Sequence, residues 1–527
     1  MPARVRPYLY YDTAVSICTT CYRRIDAKIL FEENNVFMLK RCPSHGFERV
    51  LISDDVDYYG RCREVFTKPP EMPDRYNTPV NFGCPYDCGL CPDHEQHSCL
   101  SLLEICDACN LPCPICYAQS GTHRTEFKPL DQIERMLDCI VGNEAQPDIV
   151  QVSGGEPTIH PQFFEVLDAA KRRPIRHLMG NTHGIRIAQD EAFARRLATY
   201  MPSFELYLQF DSLRREPLIQ LRGADLRNIR EGALERLNKL GISTTLVVTV
   251  ERGVNDDDLG SIVEYALKQP CVRGVTFQPV QQAGRLVNYD GAAHRLTLSE
   301  VRRRILDQTS RFKPEDLIPV PCHPDSLAMG FALKLAGKIV PLTGLVSPDG
   351  LINGGRNTII YEQDPAVRAS LECSPDLRNQ IFKLFSTNHS PSRKPIPYAS
   401  SSAASLRFSR RKTSDTAISF AFSSSSSSTP RPLISARSRR PVSTSPTRTE
   451  KASSLLTHTT CSIVMTSNTL ASAHFAMKSW AFDKQRDESQ RGGFYRCDDQ
   501  HDNHSRNRLR RRGYRGSLDY ALNSAVD

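Results

Sequence analysis

The cysteines constrain this chain more than any other feature. It has 18, and 12 of them stand at or before Cys116, in tight groups rather than spread along the chain. Disulfide scaffolds are usually short secreted domains with cysteines throughout. The C-x2-C and C-x3-C-x2-C spacings here are instead those of metal ligands. The first residues, MPARVRPYLYYDTAVSICTTC, lack an uninterrupted apolar h-region, and no run approaches the roughly 20 apolar residues of a membrane span. These features predict a reducing, cytoplasmic setting in which thiolates bind metal.

Length and charge bound the rest. A chain of 527 residues has room for two or three domains. Its formal charge of +9 is unevenly placed. From Ser392 onward there are 23 Lys and Arg against 10 Asp and Glu, a surplus of 13, so the remainder carries 9 − 13 = −4. The basic charge belongs to the tail, and the rest of the chain offers no electrostatic footprint for nucleic acid. That tail, residues 392–527, includes a six-serine run at Ser423–Ser428 and Arg-Ser-Arg-Arg at Arg437–Arg440. It is expected to be disordered or the product of an altered reading frame.

Ahead of it the chain divides into four parts. Residues 1–79 form a metal-knuckle module that ends in a Pro-rich stretch, and residues 80–100 a cysteine-dense segment. Residues 101–290 alternate strand and helix patterns, and residues 291–391 extend that core. The predicted strands are Leu102–Ile105, Ile149–Ser153, Ile175–Met179, Phe204–Phe210, Thr244–Val250 and Gly274–Pro279. Helical periodicity lies between them, over Leu130–Val141, Phe163–Lys171, Glu191–Tyr200, Arg227–Leu240 and Leu259–Lys268. The expected fold is α/β, a partial parallel (β/α)6 barrel behind an N-terminal Cys-rich module. Chemistry in such sheets gathers at the C-terminal strand ends.

The first predicted barrel strand runs into Cys109-x3-Cys113-x2-Cys116. Three thiolates on a short loop can hold three corners of a 4Fe–4S cluster and leave one iron open. The alternative is a structural zinc or closed cluster with a fourth ligand elsewhere. The next strand ends in Ser153-Gly154-Gly155-Glu156-Pro157, where two glycines permit close backbone approach and Glu156 can hold an ammonium group. Upstream, Cys84-x3-Cys88-x2-Cys91 with Cys99 supplies four thiolates for an auxiliary 4Fe–4S cluster, with Cys106 as a rival fourth ligand and structural zinc as the other reading. Cys18-x2-Cys21 with Cys42-x2-His45 is a knuckle for one mononuclear ion, zinc or iron. Cys322 is a candidate ligand or radical partner, with an ordinary buried thiol as its alternative.

The pairing of the cysteine loop with Gly154-Gly155-Glu156-Pro157 resembles the radical S-adenosylmethionine superfamily, in its molybdenum-cofactor-synthase-like branch. What this resemblance implies is carried over position by position. Cys109, Cys113 and Cys116 would hold the radical cluster, and Ile115 would pack near the adenine of S-adenosylmethionine. Gly154, Gly155 and Glu156 would engage its amino group. Asn181, after the third strand, and Gln209 and Asp211, at the end of the fourth, would contact its ribose. Arg222 would pair with its carboxylate. A strand-end or capping role is the alternative for each polar residue.

The order of Cys18-x2-Cys21, Cys42-Pro-x-His45-Gly46 and Gly83-Cys-Pro-Tyr-Asp-Cys-Gly-Leu-Cys91 is similar to a narrower group, that of archaeal tetraether lipid synthase and pterin-methylating radical enzymes, with their bacterial relatives. It implies carbon–carbon coupling of lipid chains as the leading activity, or radical methylation of a pterin-like cofactor. A non-enzymatic iron–sulfur electron carrier would need neither the glycine pair nor a barrel. A lipid or small-molecule substrate and a reductant such as ferredoxin or flavodoxin are the expected partners, and any membrane contact is expected to be peripheral.

Overall fold

The computed structural model describes residues 6–66, 69, 71–82, 86–87, 89–94, 97–319, 327–335, 338–344, 418–423 and 460–464. The N-terminal module is a four-stranded antiparallel meander, β1 (Leu9–Ile17), β2 (Arg24–Glu32), β3 (Asn35–Cys42) and β4 (Gly46–Ser53), in the order β1-β2-β3-β4. Its strands alternate: Ala27, Ile29, Val36 and Met38 are buried on one face with Tyr59. The helix α1 (Val56–Glu64) follows, capped by the Asp55 carboxylate, which accepts from Tyr58 N at 2.8 Å.

The barrel comprises β5 (Leu100–Cys106), β7 (Ile149–Gly154), β8 (His177–Thr182), β9 (Phe204–Gln209), β10 (Thr244–Val250) and β11 (Val272–Pro279), every neighbouring pair parallel in that order. The short β6 (Ile115–Cys116) lies in the loop after β5. The crossovers are α2 (Leu130–Glu144), α3 (Phe163–Lys171), α4 (Ile185–Gln189) with α5 (Glu191–Ala198), α6 (Arg215–Arg222) with α7 (Arg227–Leu240), and α8 (Leu259–Lys268). The expected partial (β/α)6 barrel is present. Its main core lies between sheet and helices, where Ile105, Val152, Leu206, Val248 and Phe277 pack with Leu167, Leu237 and Ile262.

Several features differ from expectation. The third barrel strand begins at His177 and runs to Thr182, because Ile175 and Arg176 belong to the turn after α3. Asn181 therefore lies within β8 rather than after it. Two helices, α4 and α6, have no counterpart in the sequence reading; at 5 and 8 residues they are too short to show a clear period. The N-terminal module is also not separate: Tyr58 and Cys62 of α1 belong to the main core.

Beyond the barrel come β12 (Arg285–Leu286), α9 (Gly291–His294), α10 (Leu298–Gln308), β13 (Ile318–Pro319), β14 (Leu327–Leu335) and β15 (Lys338–Pro341). A capping box between Thr297 and Glu300 starts α10. Two further short segments are β16 (Ile418–Ser423) and β17 (Thr460–Val464). β16 pairs parallel with β11 and antiparallel with β14, and β17 pairs with β14. Ile-Ser-Phe-Ala-Phe-Ser has the alternation of a strand and meets an open sheet edge there. Among the described residues no helix is long and apolar enough to cross a membrane.

Candidate active site

At the C-terminal end of β5 the chain turns away from the sheet as the cysteine loop. Cys109, Cys113 and Cys116 gather around Leu111, Leu226, Ile185 and Ile229. Burial pushes the Cys109 thiol up to about 12. Burial also raises Cys113, although the Arg222 guanidinium opposes it. Buried thiols of this kind are neutral until a metal displaces their protons.

The loop is held from three sides. Gly155 N donates to Cys106 O at 2.8 Å and Glu156 N to Ala108 O at 2.9 Å. A Cβ on Gly154 or Gly155 would fall under 3.0 Å from the Cys106 and Ala108 backbone, so the glycine pair is required by close approach to the loop. Gly223, at the end of α6, lies against Pro112 and Pro114. On the far side β12 pairs antiparallel with β6, Arg285 opposite Cys116 and Leu286 opposite Ile115. Arg285 donates to Cys113 O and Ser120 O, each at 2.7 Å.

Glu156 is 1% exposed and its carboxylate is taken up by the protein. Oε1 accepts from Thr182 Oγ1 at 2.7 Å and from Thr158, and Oε2 from His183 N at 2.9 Å. His183 Nε2 stands 3.2 Å from Oε2 and 2.5 Å from Asn110 Oδ1. Its Nδ1 accepts from Ile185 N, and burial lowers its pKa. A neutral ring with its proton on Nε2 thus ties the cysteine loop to β8. Glu156 serves here as a tie between strand ends.

Asn181, Gln209, Asp211 and Arg222 come together in one polar chain across those ends. Tyr117 OH lies 3.4 Å from Ser153 Oγ, which accepts from Asn181 Nδ2 at 3.2 Å; Asn181 Oδ1 accepts from Gln209 Nε2 at 2.9 Å. Arg222 Nη2 then donates to Gln209 Oε1 and Thr249 Oγ1, each at 2.9 Å, and to Asp211 Oδ1 at 2.5 Å, while Nε reaches Asp211 Oδ2 at 2.7 Å. Burial favours neutral Asp211, but the Arg222 guanidinium overcomes it and holds the carboxyl below its usual range. Burial alone would likewise lower Arg222, and Asp211 raises it. Arg222 is thereby committed to the protein as a bridge from the strand ends to Cys113.

Arg230, like Arg285, is a residue that sequence reasoning missed. It is 2% exposed, and burial brings it down to about 10. Nη1 donates to His183 O, Nη2 stands 3.6 Å from Asp211 Oδ2, and Nε has no hydrogen-bond partner. A buried cation close enough to feel the Cys113 thiol fits a group carrying negative charge. The glycine cradle, the thiol donor set and this cation together fit a 4Fe–4S cluster with S-adenosylmethionine. Ile115 packs with Leu221 and Val280 at the same end.

The inner face of the barrel is polar toward the C-terminal strand ends, while Leu100, Ile149, Met179 and Tyr207 form an apolar group deeper on the same face. Leu103, Ile105, Val150, Val152, Leu206 and Leu208 face the helices, so their neighbours in the strands, Glu104, Gln151, Ser153, Tyr207 and Gln209, face inward. Gln278 of β11 donates to Tyr207 OH at 2.7 Å.

In the N-terminal module, Cys18, Cys21, Cys42 and His45 place their ligand atoms within 4.8 Å of one another. His45 Nδ1 is 3.5 Å from Cys18 Sγ and 3.4 Å from Cys42 Sγ. Backbone donors from Cys21 and Thr20 bring Cys18 down to about 6. The expected knuckle is assembled. Of the auxiliary set, Cys84 and Cys88 lie outside the described residues, as does Cys322; Cys91 is buried and Cys99 half-buried. Cys106 is buried in the main core and its thiol donates to Ala108 O at 3.7 Å.

Residues 103–266 match the family model of the radical SAM superfamily, and residues 10–54 that of the HMPTM N-terminal zinc ribbon domain. The chain is 32% identical over 312 residues to 7,8-dihydro-6-hydroxymethylpterin dimethyltransferase of Methanocaldococcus jannaschii, which covers 58% of this chain. It spans 61% of that relative's length. It is 27% identical over 235 residues to GTP 3′,8-cyclase of Pectobacterium atrosepticum, covering 42% of this chain and 68% of the cyclase. The crystal structure of Streptococcus suis SuiB bound to precursor peptide SuiA superimposes with a TM-score of 0.33 at 16% identity, covering 40% of this chain and 45% of SuiB. Residues 103–266 thus form a radical SAM domain behind a zinc ribbon at residues 10–54, and the chain is similar to enzymes of the radical SAM superfamily.

Proposed function

We propose that this enzyme methylates a small polar heterocycle of the pterin kind by radical chemistry. The observation that carries this reading is the C-terminal part of the barrel's inner face, where Glu104, Ser153, Asn181, Gln209 and Gln278 stand at the strand ends and a lipid chain would need an apolar groove. Carbon–carbon coupling of lipids, the leading expectation from the sequence, is set aside on that ground. The names of two relatives also support the change, since a pterin and GTP both carry a 2-amino-4-oxopyrimidine ring.

Cys109, Cys113 and Cys116 would hold a 4Fe–4S cluster, which with S-adenosylmethionine would supply radical chemistry able to take hydrogen from unactivated carbon. The chain's own residues do the positioning. Gly154 and Gly155 set the loop against the strand end, Arg285 clamps it from the other side, and Arg222 ties Cys113 to Asp211. The contacts of Ile115, Asn181, Gln209 and Asp211 with S-adenosylmethionine belong to this proposal. So do an auxiliary 4Fe–4S cluster on Cys84, Cys88, Cys91 and Cys99, and a ferredoxin or flavodoxin as electron source. β12, paired with β6 and bonded to the loop through Arg285, would help keep water from a reactive radical.

The test is anaerobic reconstitution with S-adenosylmethionine, a reductant, the reduced pterin, and a pterin-stripped cell extract as one-carbon source. The expected products are 5′-deoxyadenosine and a pterin heavier by one or two methyl groups, both absent in Cys113→Ala. An unchanged pterin, with 5′-deoxyadenosine formed only when membrane lipid is added, overturns the assignment.

A further inference from the structure

Glu251 follows directly on β10, two residues past Thr249. Val248 and Val250 face the helices in the main core, while the Thr249 hydroxyl meets Arg222 on the inner face. Glu251 thus has the inward register at the C-terminal rim. It is 1% exposed. Its Oε1 lies 3.3 Å from His294 Nδ1, and its Oε2 is buried with no hydrogen-bond partner. Buried acceptors are almost always paired, so this oxygen needs an explanation. Burial raises the carboxyl's pKa, and the His294 charge opposes that only in part. The Tyr289 ring belongs to the same neighbourhood: it stands 5.7 Å from the His294 ring and packs on the group of Ile115, Leu221 and Val280 beside the cysteine loop. An orphaned carboxylate oxygen at the rim, with an aromatic ring close by, is what a flat heterocycle with adjacent N–H donors requires.

Resting on the methylation reading above, we propose that Glu251 is the specificity residue that accepts the ring N–H and exocyclic amine of a 2-amino-4-oxopyrimidine edge. That edge is shared by pterins and guanine nucleotides, and it is absent from 2-deamino analogues. Glu251 holds the substrate; it is not assigned a part in the radical step.

Isothermal titration of the full reconstituted chain tests this, with 7,8-dihydro-6-hydroxymethylpterin, its 2-deamino (2-oxo) analogue and GTP as separate probes. Glu251→Gln is expected to weaken pterin binding roughly 10- to 150-fold, the range for a hydrogen bond to a charged group. Iron content and S-adenosylmethionine affinity should be unchanged. Wild type should discriminate against the 2-deamino analogue by a similar factor, a readout that survives if the variant fails to fold. A Glu251-dependent affinity for GTP instead of the pterin supports the same edge recognition and identifies a guanine nucleotide as the source. If wild type binds the pterin but Glu251→Gln binds it equally tightly, or if the deamino analogue binds as well as the pterin, the assignment of Glu251 is overturned while the methylation reading stands. If wild type binds neither pterin nor GTP, both fall.

Discussion

Asp211 is where two buried guanidinium groups find a counter-charge. Arg222 bonds it through two nitrogens, and Arg230 stands 3.6 Å away. Replacing it with asparagine leaves both cations uncompensated, and removing one partner of a buried pair costs about 3–5 kcal/mol. Asp211→Asn is therefore expected to lower the unfolding free energy from urea titration by that amount and to release iron. The pH dependence follows from the depressed carboxyl. The unfolded aspartate, at about 3.9, takes up its proton at a higher pH than the folded one. Asp211's contribution is complete above that value and is lost as pH falls through the lower folded value. Urea titrations across this window should show the loss in wild type and not in Asp211→Asn. Residue-level legibility split along sequence distance. Cys109, Cys113, Cys116, Gly154 and Gly155 are readable because their spacing is local. Arg230 and Arg285 are not, since each acts on a partner 47 or 172 residues away.

At the scale of elements, the zinc ribbon is the part most dependent on its metal. Its four strands enclose a small core of Ala27, Ile29, Val36 and Met38. A core that size rarely stabilises a sheet alone. Structural zinc contributes an apparent 10–16 kcal/mol or so in small domains. Cys42→Ser is therefore expected to remove one zinc per chain, and the β1–β4 amides should lose hydrogen-exchange protection while the barrel amides keep theirs. Retained protection throughout the meander would show that the strands do not need the ion. Hydrophobic patterning revealed the barrel strands well, because each strand buries every second residue against the helices. It failed for α4 and α6, and it placed β8 early, since Ile175 extends the apolar run into a turn. The meander itself was legible only as a ligand pattern, because its half-exposed strands carry mixed polar and apolar residues.

For the molecule as a whole, the ribbon and barrel act as one body. Tyr58 and Cys62 of α1 sit in the main core, and Arg302 of α10 lies over the Tyr58 ring at 4.4 Å from its centroid. Tyr58→Ala is expected to cost about 3–5 kcal/mol, as for other buried aromatics, and to loosen ribbon and barrel together. Limited proteolysis should then cut between residues 66 and 97 faster than in wild type. A loss under about 1 kcal/mol, the scale of an ordinary surface substitution, would mean the ribbon is merely tethered. The division at residue 79 read from the sequence missed this, since a Pro-rich stretch marks a change in composition and not a gap in packing.

Ser53 Oγ at the end of the ribbon donates to Ser299 Oγ at the start of α10, 246 residues downstream. During synthesis the ribbon leaves the ribosome long before that helix exists; at about 5–20 residues per second the interval is roughly 12–50 s. Throughout it, the face destined for α10 is bare, and only a small core and the bound ion keep the meander shaped. Cells short of zinc should therefore lose this enzyme as nascent chains, before any cluster has been inserted.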